Sequence, residues 1–435
     1  MPLPEQHAEL LKRHRTVLPD WLALYYERPI EIVRGSGRHV TDAEGRTYLD
    51  FFAGILTNAL GYAVDEVADA VQAQLATGVT HTSTLYLIRS QVELAERIAA
   101  LSGIEDPKVF FTNSGTEANE TALMLATTAR RSNQVLALRN SYHGRAFATV
   151  GITGNRGWSA SSLSPLQVSY VHGNYRYRSP FRDFSDEAYI GACVADLREV
   201  IATMTAGDVA AMIVEPIQGV GGFATPPDGL FGAMKEVLDE YGILLICDEV
   251  QTGWGRTGSH FWGIQAHGCV PDLMTFAKGL GNGLAIGGVV GRAELIDALP
   301  ANSISTFGGN PVSTTAGLAV LDYIRDHDLQ ANAAERGERL IAGLREIAGT
   351  APAIGDVRGK GLMVGVELVR PGTTEPDAAA AGRVLEATRV RGLLIGKGGL
   401  YGNVLRIAPP LTVTAAEVDE ALAVLREAFA EVSEG

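Results

Sequence analysis

The chain has 435 residues, of which 46% are hydrophobic and 20% charged. That composition excludes wholesale disorder, and at about 150 residues per domain the length suits two or three domains. Lys and Arg number 36 against 50 Asp and Glu, a net charge of −14. No basic run stands out, so neither a nucleic acid nor an anionic membrane is an expected partner.

The opening residues scatter charges among apolar positions and contain no apolar h-region, so they do not read as a secretory signal. No apolar run approaches the 18 or so residues of a membrane-spanning helix. The cysteines are Cys193, Cys247 and Cys269. They are odd in number and lack CxxC spacing, so neither a disulfide framework nor a zinc site is expected, and a reducing cytoplasm is the expected location.

Residues 35–50 carry short β-like runs broken by glycine turns. From there the pattern alternates. Apolar strand-like runs at 108–112, 134–138, 210–214, 243–247, 273–277 and 286–290 are separated by helical stretches such as 117–131 and 231–241. Strands alternating with helices predict βαβ units and a mainly parallel sheet, with ligands at the carboxyl ends of its strands. A long helical stretch, 313–348, leads to β-like runs at 361–369 and 404–408. A terminal helix over 415–432 follows Thr414, with Glu417 three residues on, the spacing of a capping box. The predicted fold class is α/β. A large domain spans residues 51–310, and a smaller α+β domain is built from residues 1–50 and 311–435.

Five constellations carry chemistry. Residues 110–119, FFTNSGTEAN, end a strand in a polar turn and open a helix. Ser114 with Glu117 reads either as a capping box alone or as part of a phosphate cup made by free N–H groups and hydroxyls. Asp248 and Glu249 follow an apolar strand, and neighbouring strand residues face opposite sides. One of the pair can hold a protonated ring nitrogen, or both can be a cap or surface pair. Lys278 is one of only six lysines. It follows a strand and is flanked by Gly279, Gly281 and Gly283, so it is either a nucleophilic amine of lowered pKa or a snorkelling side chain. Tyr142 and His143, in SYHGR, form a stacking and donating pair or a structural one. Arg406, in LRIAPP, suits bidentate carboxylate binding or a structural ion pair.

Residues 253–258, GWGRTG, match G-x-G-x-x-G. A dinucleotide fingerprint must open a helix directly after its strand. Here Asp248–Thr252 intervene, so an oxidoreductase reading rests on that match alone. H-E-x-x-H, G-x-S-x-G and the P-loop are missing, and the nine histidines show no metal-ligand spacing.

A phosphate cup, a ring-nitrogen carboxylate, a reactive lysine, a stacking tyrosine and an arginine make one set, the set that pyridoxal phosphate requires. With NSGTEAN, YHG, EPIQG, DEVQTGWGRTG, AKGLGNG and TFGGNP, the chain resembles a class III (ω-amino acid type) pyridoxal-phosphate aminotransferase of fold type I. The resemblance runs from about Tyr25 to the last helix. DAEGRTYLDFFAGI, HTSTLY, GSHFWG and the LLIGKGG…LRIAPP tail make it most similar to the alanine–glyoxylate and β-aminoisobutyrate–pyruvate branch.

The resemblance implies a role for each matching residue. Lys278 forms the Schiff base and moves the substrate proton, and Asp248 keeps the ring nitrogen protonated. Tyr142 and Val250 cover the two ring faces, and Gln251 reaches the ring hydroxyl. Ser114, Gly115 and Thr116 bind the phosphate, and Thr306 reaches the phosphate of a neighbouring subunit. Glu215 orients Gln251 or the ring, and Arg406 clamps a carboxylate. A homodimer or tetramer with shared sites follows, acting on a small amino donor and a keto acid acceptor. Ile55 and Tyr25–Tyr26 are expected to line the substrate pocket.

The sequence departs from the family pattern at Gly61–Asp65, where the usual GHxHP turn lacks its histidine and proline. Val220 stands where some members place a glutamate that locks the arginine. Arg406 is therefore expected to stay free, which favours the glyoxylate/pyruvate branch over ornithine or GABA use. A phospho-lyase, with Arg176 and Arg178 as candidate phosphate ligands, and an amino-acid racemase are the alternatives on the same scaffold.

Overall fold

The computed structural model describes residues 5–434, so the first four residues and Gly435 of the expected outer segments lie outside it. Its centre is a seven-stranded sheet. In spatial order the strands are Pro107–Thr112, Gly287–Arg292, Leu273–Phe276, Leu244–Asp248, Ala211–Val214, Gln134–Leu138 and Gln167–Val171. Only Gly287–Arg292 runs antiparallel to its neighbours; the remaining adjacent pairs are parallel. The six strands expected from the sequence are all present within one or two residues of their expected ends. The edge strand Gln167–Val171 was not anticipated, because its polar and apolar residues alternate over a half-buried face.

The inner strands are buried on both faces, from Ala211 through Val214 and from Leu244 through Asp248. Each leucine or isoleucine sequestered there contributes about 1.5–3 kcal/mol relative to exposure. The helix Gly115–Arg130 buries Ala118, Asn119, Ala122, Leu123, Leu125 and Ala126, a helical-period face against the sheet. Ser114 caps its start by accepting from the Glu117 N–H at 3.2 Å. The Glu117 carboxylate turns instead to the N–H of Asn113, so only half of the expected capping box forms. At the C-terminal helix both halves form: Thr414 Oγ1 accepts from the Glu117-like position, Glu417 N–H, and the Glu417 carboxylate accepts from Thr414 N–H.

The single helix expected over 313–348 is two, Pro311–Asp326 and Leu329–Ala348. Asp328 between them has φ 48°, a left-handed turn that aspartate tolerates and that needs neither glycine nor proline. The first strands, Ile32–Ser36, His39–Asp42 and Thr47–Asp50, join Leu393–Leu394 in one small sheet. Ile354–Lys360, Met363–Leu368, Val404–Ile407 and Gly396–Gly398 form another, wholly antiparallel. Segments from both ends of the chain are thus stitched together, and Ala408 N–H reaches Phe51 O at 2.7 Å. Among the described residues no helix is long and apolar enough to cross a membrane.

Candidate active site at the carboxyl edge of the sheet

Asp248 ends its strand, Lys278 follows Leu273–Phe276 by two residues, and Glu215 follows Ala211–Val214 directly. Parallel neighbours place all three at the same carboxyl edge of the sheet. Asp248 and Glu249 diverge, as strand alternation requires. Glu249 is fully buried away from the others and accepts from Thr252 Oγ1, Gly263 N–H and Ile264 N–H. It shapes a loop. Asp248 points into the site, where its Oδ2 accepts from Asn119 Nδ2 at 2.7 Å and lies 2.8 Å from His143 Nδ1. Among the described residues its Oδ1 accepts only the Val250 N–H, at 3.1 Å.

The helix start at Ser114–Thr116 is the candidate phosphate cup. The first N–H groups of a helix have no carbonyl above them, and the dipole favours an anion there. Gly115 is needed for close approach, because a Cβ there would stand 2.9 Å from both methyls of Val250. Gly144 lies equally close to Thr116, where a Cβ would stand 2.8 Å from Oγ1. Cup, Val250 and the Tyr142–Gly144 turn are therefore contiguous.

Tyr142 donates its N–H to Glu215 Oε1 at 2.9 Å and presents its ring edge-on to Trp158 at 5.6 Å. Glu215 Oε2 accepts from Gly219 N–H at 2.8 Å. Burial holds the Glu215 carboxyl well above the usual carboxylate range; His143 opposes that and Asp248 adds to it. A Cβ on Gly219 would stand 2.0 Å from Gln251 Nε2, so the glutamine amide lies flat on that glycine. Gln251 Oε1 and His143 Nε2 are buried without a hydrogen-bond partner among the described residues. Orphaned polar atoms in such a place call for a polar ligand.

Lys278 opens a 3₁₀ turn with φ 47°, a strained left-handed conformation for a lysine. Burial pulls its amine down to about 8, and Arg406 pushes the same way, while Asp248 and Glu215 pull back. At that value about a tenth of the amine is free base at pH 7, far more than an ordinary lysine offers.

Arg406 is almost wholly buried, on Val404–Ile407. Its Nη1 donates to Gly219 O at 3.3 Å and its Nη2 to Tyr25 Oη at 3.1 Å, while Nε has no partner among the described residues. Its guanidinium carbon lies 4.8 Å from the Phe52 ring centroid and 5.6 Å from that of Phe223. Among the described residues no carboxylate pairs with it. Val220, where a glutamate was at issue, is buried, and its carbonyl accepts from Gly399 N–H at 2.9 Å.

Ile55 sits on a left-handed turn, Ala53–Leu56, and is partly exposed beside Phe52. Asp50 anchors that turn through Phe52 N–H and Ala53 N–H. The same carboxylate accepts from Tyr62 Oη at 2.6 Å. Tyr62 thereby fixes the departing loop at Gly61–Asp65 without a histidine or proline. Tyr26 turns away and donates to Ile395 O. Thr306 is exposed on a loop with Phe307 and Ile304, and the preceding Ser305 accepts from Asn113 Nδ2 at 3.1 Å.

Two sequence candidates are engaged elsewhere. Arg178 Nε pairs with the buried Glu367 at 2.6 Å, and Arg176 pairs with Asp186. Both are thus committed to ion pairs, while Arg178 Nη2 has no hydrogen-bond partner among the described residues. Residues 253–258 form successive turns rather than a helix start, and Arg256 within them is buried on the carbonyls of Leu362 and Pro409. The dinucleotide match is therefore structural. Asn119 was not anticipated as a site residue. It bridges Asp248, the His143 carbonyl and Thr275 Oγ1. A buried asparagine in a helix interior, where its propensity is poor, is the available signal.

The aminotransferase class-III family model matches residues 24–429. An alanine–glyoxylate aminotransferase 2 homologue of Arabidopsis thaliana is 41% identical over 96% of this chain and 86% of its own. A leucine/methionine racemase of Thermococcus litoralis is 37% identical over 98% of this chain and 96% of its own. The crystal structure of an amine transaminase from an uncultivated Pseudomonas species, in a PLP-bound form, superimposes with a TM-score of 0.88 at 31% identity, covering 95% of this chain and 98% of that one.

Proposed function

We propose a specific reaction for this chain, which belongs to the class III aminotransferase family and uses pyridoxal 5′-phosphate. It moves the amino group of a small amino acid or ω-amino acid, of alanine or β-alanine type, to pyruvate or glyoxylate. The observation that carries this reading is the buried Arg406 guanidinium beside Lys278, whose Nε has no partner and which no carboxylate ion-pairs among the described residues. A substrate carboxylate supplies the missing anion, and all four named substrate types carry one. The alanine–glyoxylate relative supports the same choice.

The residues present fit the cofactor. The helix start at Ser114, Gly115 and Thr116 suits its phosphate, and the orphaned Gln251 Oε1 suits its ring hydroxyl. Tyr142 and Val250 would cover the ring faces. Asp248 Oδ1 would hold the proton on the ring nitrogen, since Oδ2 is already engaged by Asn119 and His143. When bound, the cofactor supplies an electron sink for the substrate carbanion. Lys278 takes and returns the substrate proton at Nζ, with a basicity set near neutrality for that task. Glu215 orients the Tyr142 backbone and the Gly219 loop. Thr306 would complete the phosphate site of a second subunit. The exposed Leu85, Tyr86, Leu87, Ile304 and Phe307 support a homodimer that buries them.

The racemase relative gives a second reading, in which the amino group stays on the substrate. An absorbance spectrum of the purified holoenzyme separates the two. The transaminase reading expects the yellow band to bleach with L-alanine or β-alanine alone and to return with pyruvate or glyoxylate. A persisting band while D-alanine accumulates would establish the racemase instead.

A further inference from the structure

Arg406 is held by groups that leave its charge intact. Tyr25 Oη accepts from its Nη2 at 3.1 Å and in turn donates to Lys397 O at 3.2 Å. The Tyr25 ring stacks on Phe52 with planes 29° and centroids 6.0 Å apart, and the face of Phe52 supports the guanidinium. On another side Gly398 closes in, since a Cβ there would stand 2.9 Å from Arg406 Nε. The guanidinium thus lies in a slot between two aromatic rings and a glycine strand, tied at one arm by a phenol.

An acidic tether would fix an arginine and also neutralise it. A phenol fixes it and neutralises nothing. A buried cation with its charge unspent favours an incoming carboxylate and disfavours an apolar group placed against it. From this geometry, and resting on the reading of Arg406 as the carboxylate clamp, we propose that Tyr25 is a specificity-determining residue. Its hydroxyl pins the Arg406 guanidinium in the slot, so that donor and acceptor alike are selected for a carboxylate and amines without one are turned away. Without the hydroxyl, Nη2 and Lys397 O lose a shared partner, and the guanidinium keeps only its long bond to Gly219 O and the ring faces, so it can shift within the slot.

The test uses isopropylamine, which is alanine with its carboxylate replaced by a methyl group. Half-reactions of the holoenzyme, followed by absorbance without acceptor, give the ratio of efficiencies for L-alanine over isopropylamine. Tyr25→Phe keeps the ring on Phe52 and removes only the hydroxyl. It is expected to lower the ratio about tenfold, the scale of one hydrogen bond to a charged group. A second readout serves if isopropylamine is too slow to measure: the half-saturating alanine concentration should rise about tenfold, with the maximal rate kept within about twofold. An unchanged ratio with unchanged saturation overturns the proposal, as does an equal loss for both substrates. Arg406→Ala is the control. If it collapses the ratio while Tyr25→Phe does not, Tyr25 has no such role and the clamp stands. If Arg406→Ala leaves the ratio unchanged, the clamp itself fails and the role of Tyr25 falls with it.

Discussion

His143 Nδ1 lies 2.8 Å from Asp248 Oδ2, the oxygen that Asn119 Nδ2 also reaches at 2.7 Å. One carboxylate oxygen is thus occupied by the protein, and the other, with a single backbone N–H at 3.1 Å, faces the site. The side chain cannot rotate without breaking both contacts. A carboxylate so held is an oriented charge, which is what the ring nitrogen of a pyridine cofactor requires to stay protonated.

Asp248→Asn keeps the shape and removes that charge. Turnover is expected to fall on the order of 100- to 1000-fold. Asn119→Ala leaves the charge and loosens its orientation, so its loss should be smaller, about tenfold. Steady-state rates on the two purified holoenzymes check the order. Asn119→Ala being the worse of the two would mean that Asp248 acts as a structural anchor rather than through its charge.

Much of this site is legible in the sequence, and the limit has a physical reason. Asp248 and Lys278 stand out because each interrupts a local rule: a carboxylate directly after a buried strand, and a rare lysine among glycines. The strands are legible because they are apolar runs bounded by polar turns. Gln167–Val171 escapes because one half-exposed edge carries no such run. The contact of Tyr25 with Arg406 joins positions 381 apart in the chain. No local pattern encodes it; it exists only once the chain ends are stitched together. The break at Asp328 escapes for the opposite reason, since a single residue in a left-handed conformation leaves the hydrophobic period nearly intact.

Lys278→Ala removes the amine proposed to hold the cofactor covalently and to move the substrate proton. A loss of at least about 1000-fold in turnover is expected, with cofactor still bound by the cup and Asp248. Absorbance after gel filtration reads retention, and a coupled assay reads turnover. Wild-type turnover in the variant would end the mechanism.

The lowered basicity of Lys278 also predicts a pH dependence in the cofactor-free chain. Its amine ionises at about 8 when folded against an ordinary 10.5. Between those values the unfolded chain binds the extra proton, so the stability of the folded chain rises with pH across that window. Below pH 8 both states are protonated and the full cost of the buried charge is present. Lys278→Met removes the group. The apo variant should therefore exceed apo wild type in denaturation midpoint at about pH 7, and the gap should close by about pH 10.5. A gap that is constant with pH would mean that the lysine is not paying a charge cost on burial.

Gly219→Ala tests whether the loop glycine acts through Gln251. Its backbone is not in the left-handed region, so alanine meets no conformational barrier there. The obstacle is steric: the new methyl carbon would stand 2.0 Å from Gln251 Nε2 and 2.2 Å from its Cδ. The amide must leave, and the hydrogen bond proposed for it to the cofactor would go with it, which should weaken cofactor affinity by up to about tenfold. The same residue donates its N–H to Glu215 and offers its carbonyl to Arg406, so a shifted backbone would give a different signature. Gln251→Ala distinguishes the two. If the methyl acts by expelling the amide, the double variant binds cofactor no more weakly than Gln251→Ala alone, and alanine saturation stays unchanged in all three. If the backbone moves instead, the two losses add, and the half-saturating alanine concentration rises because Arg406 has lost its fixed carbonyl partner.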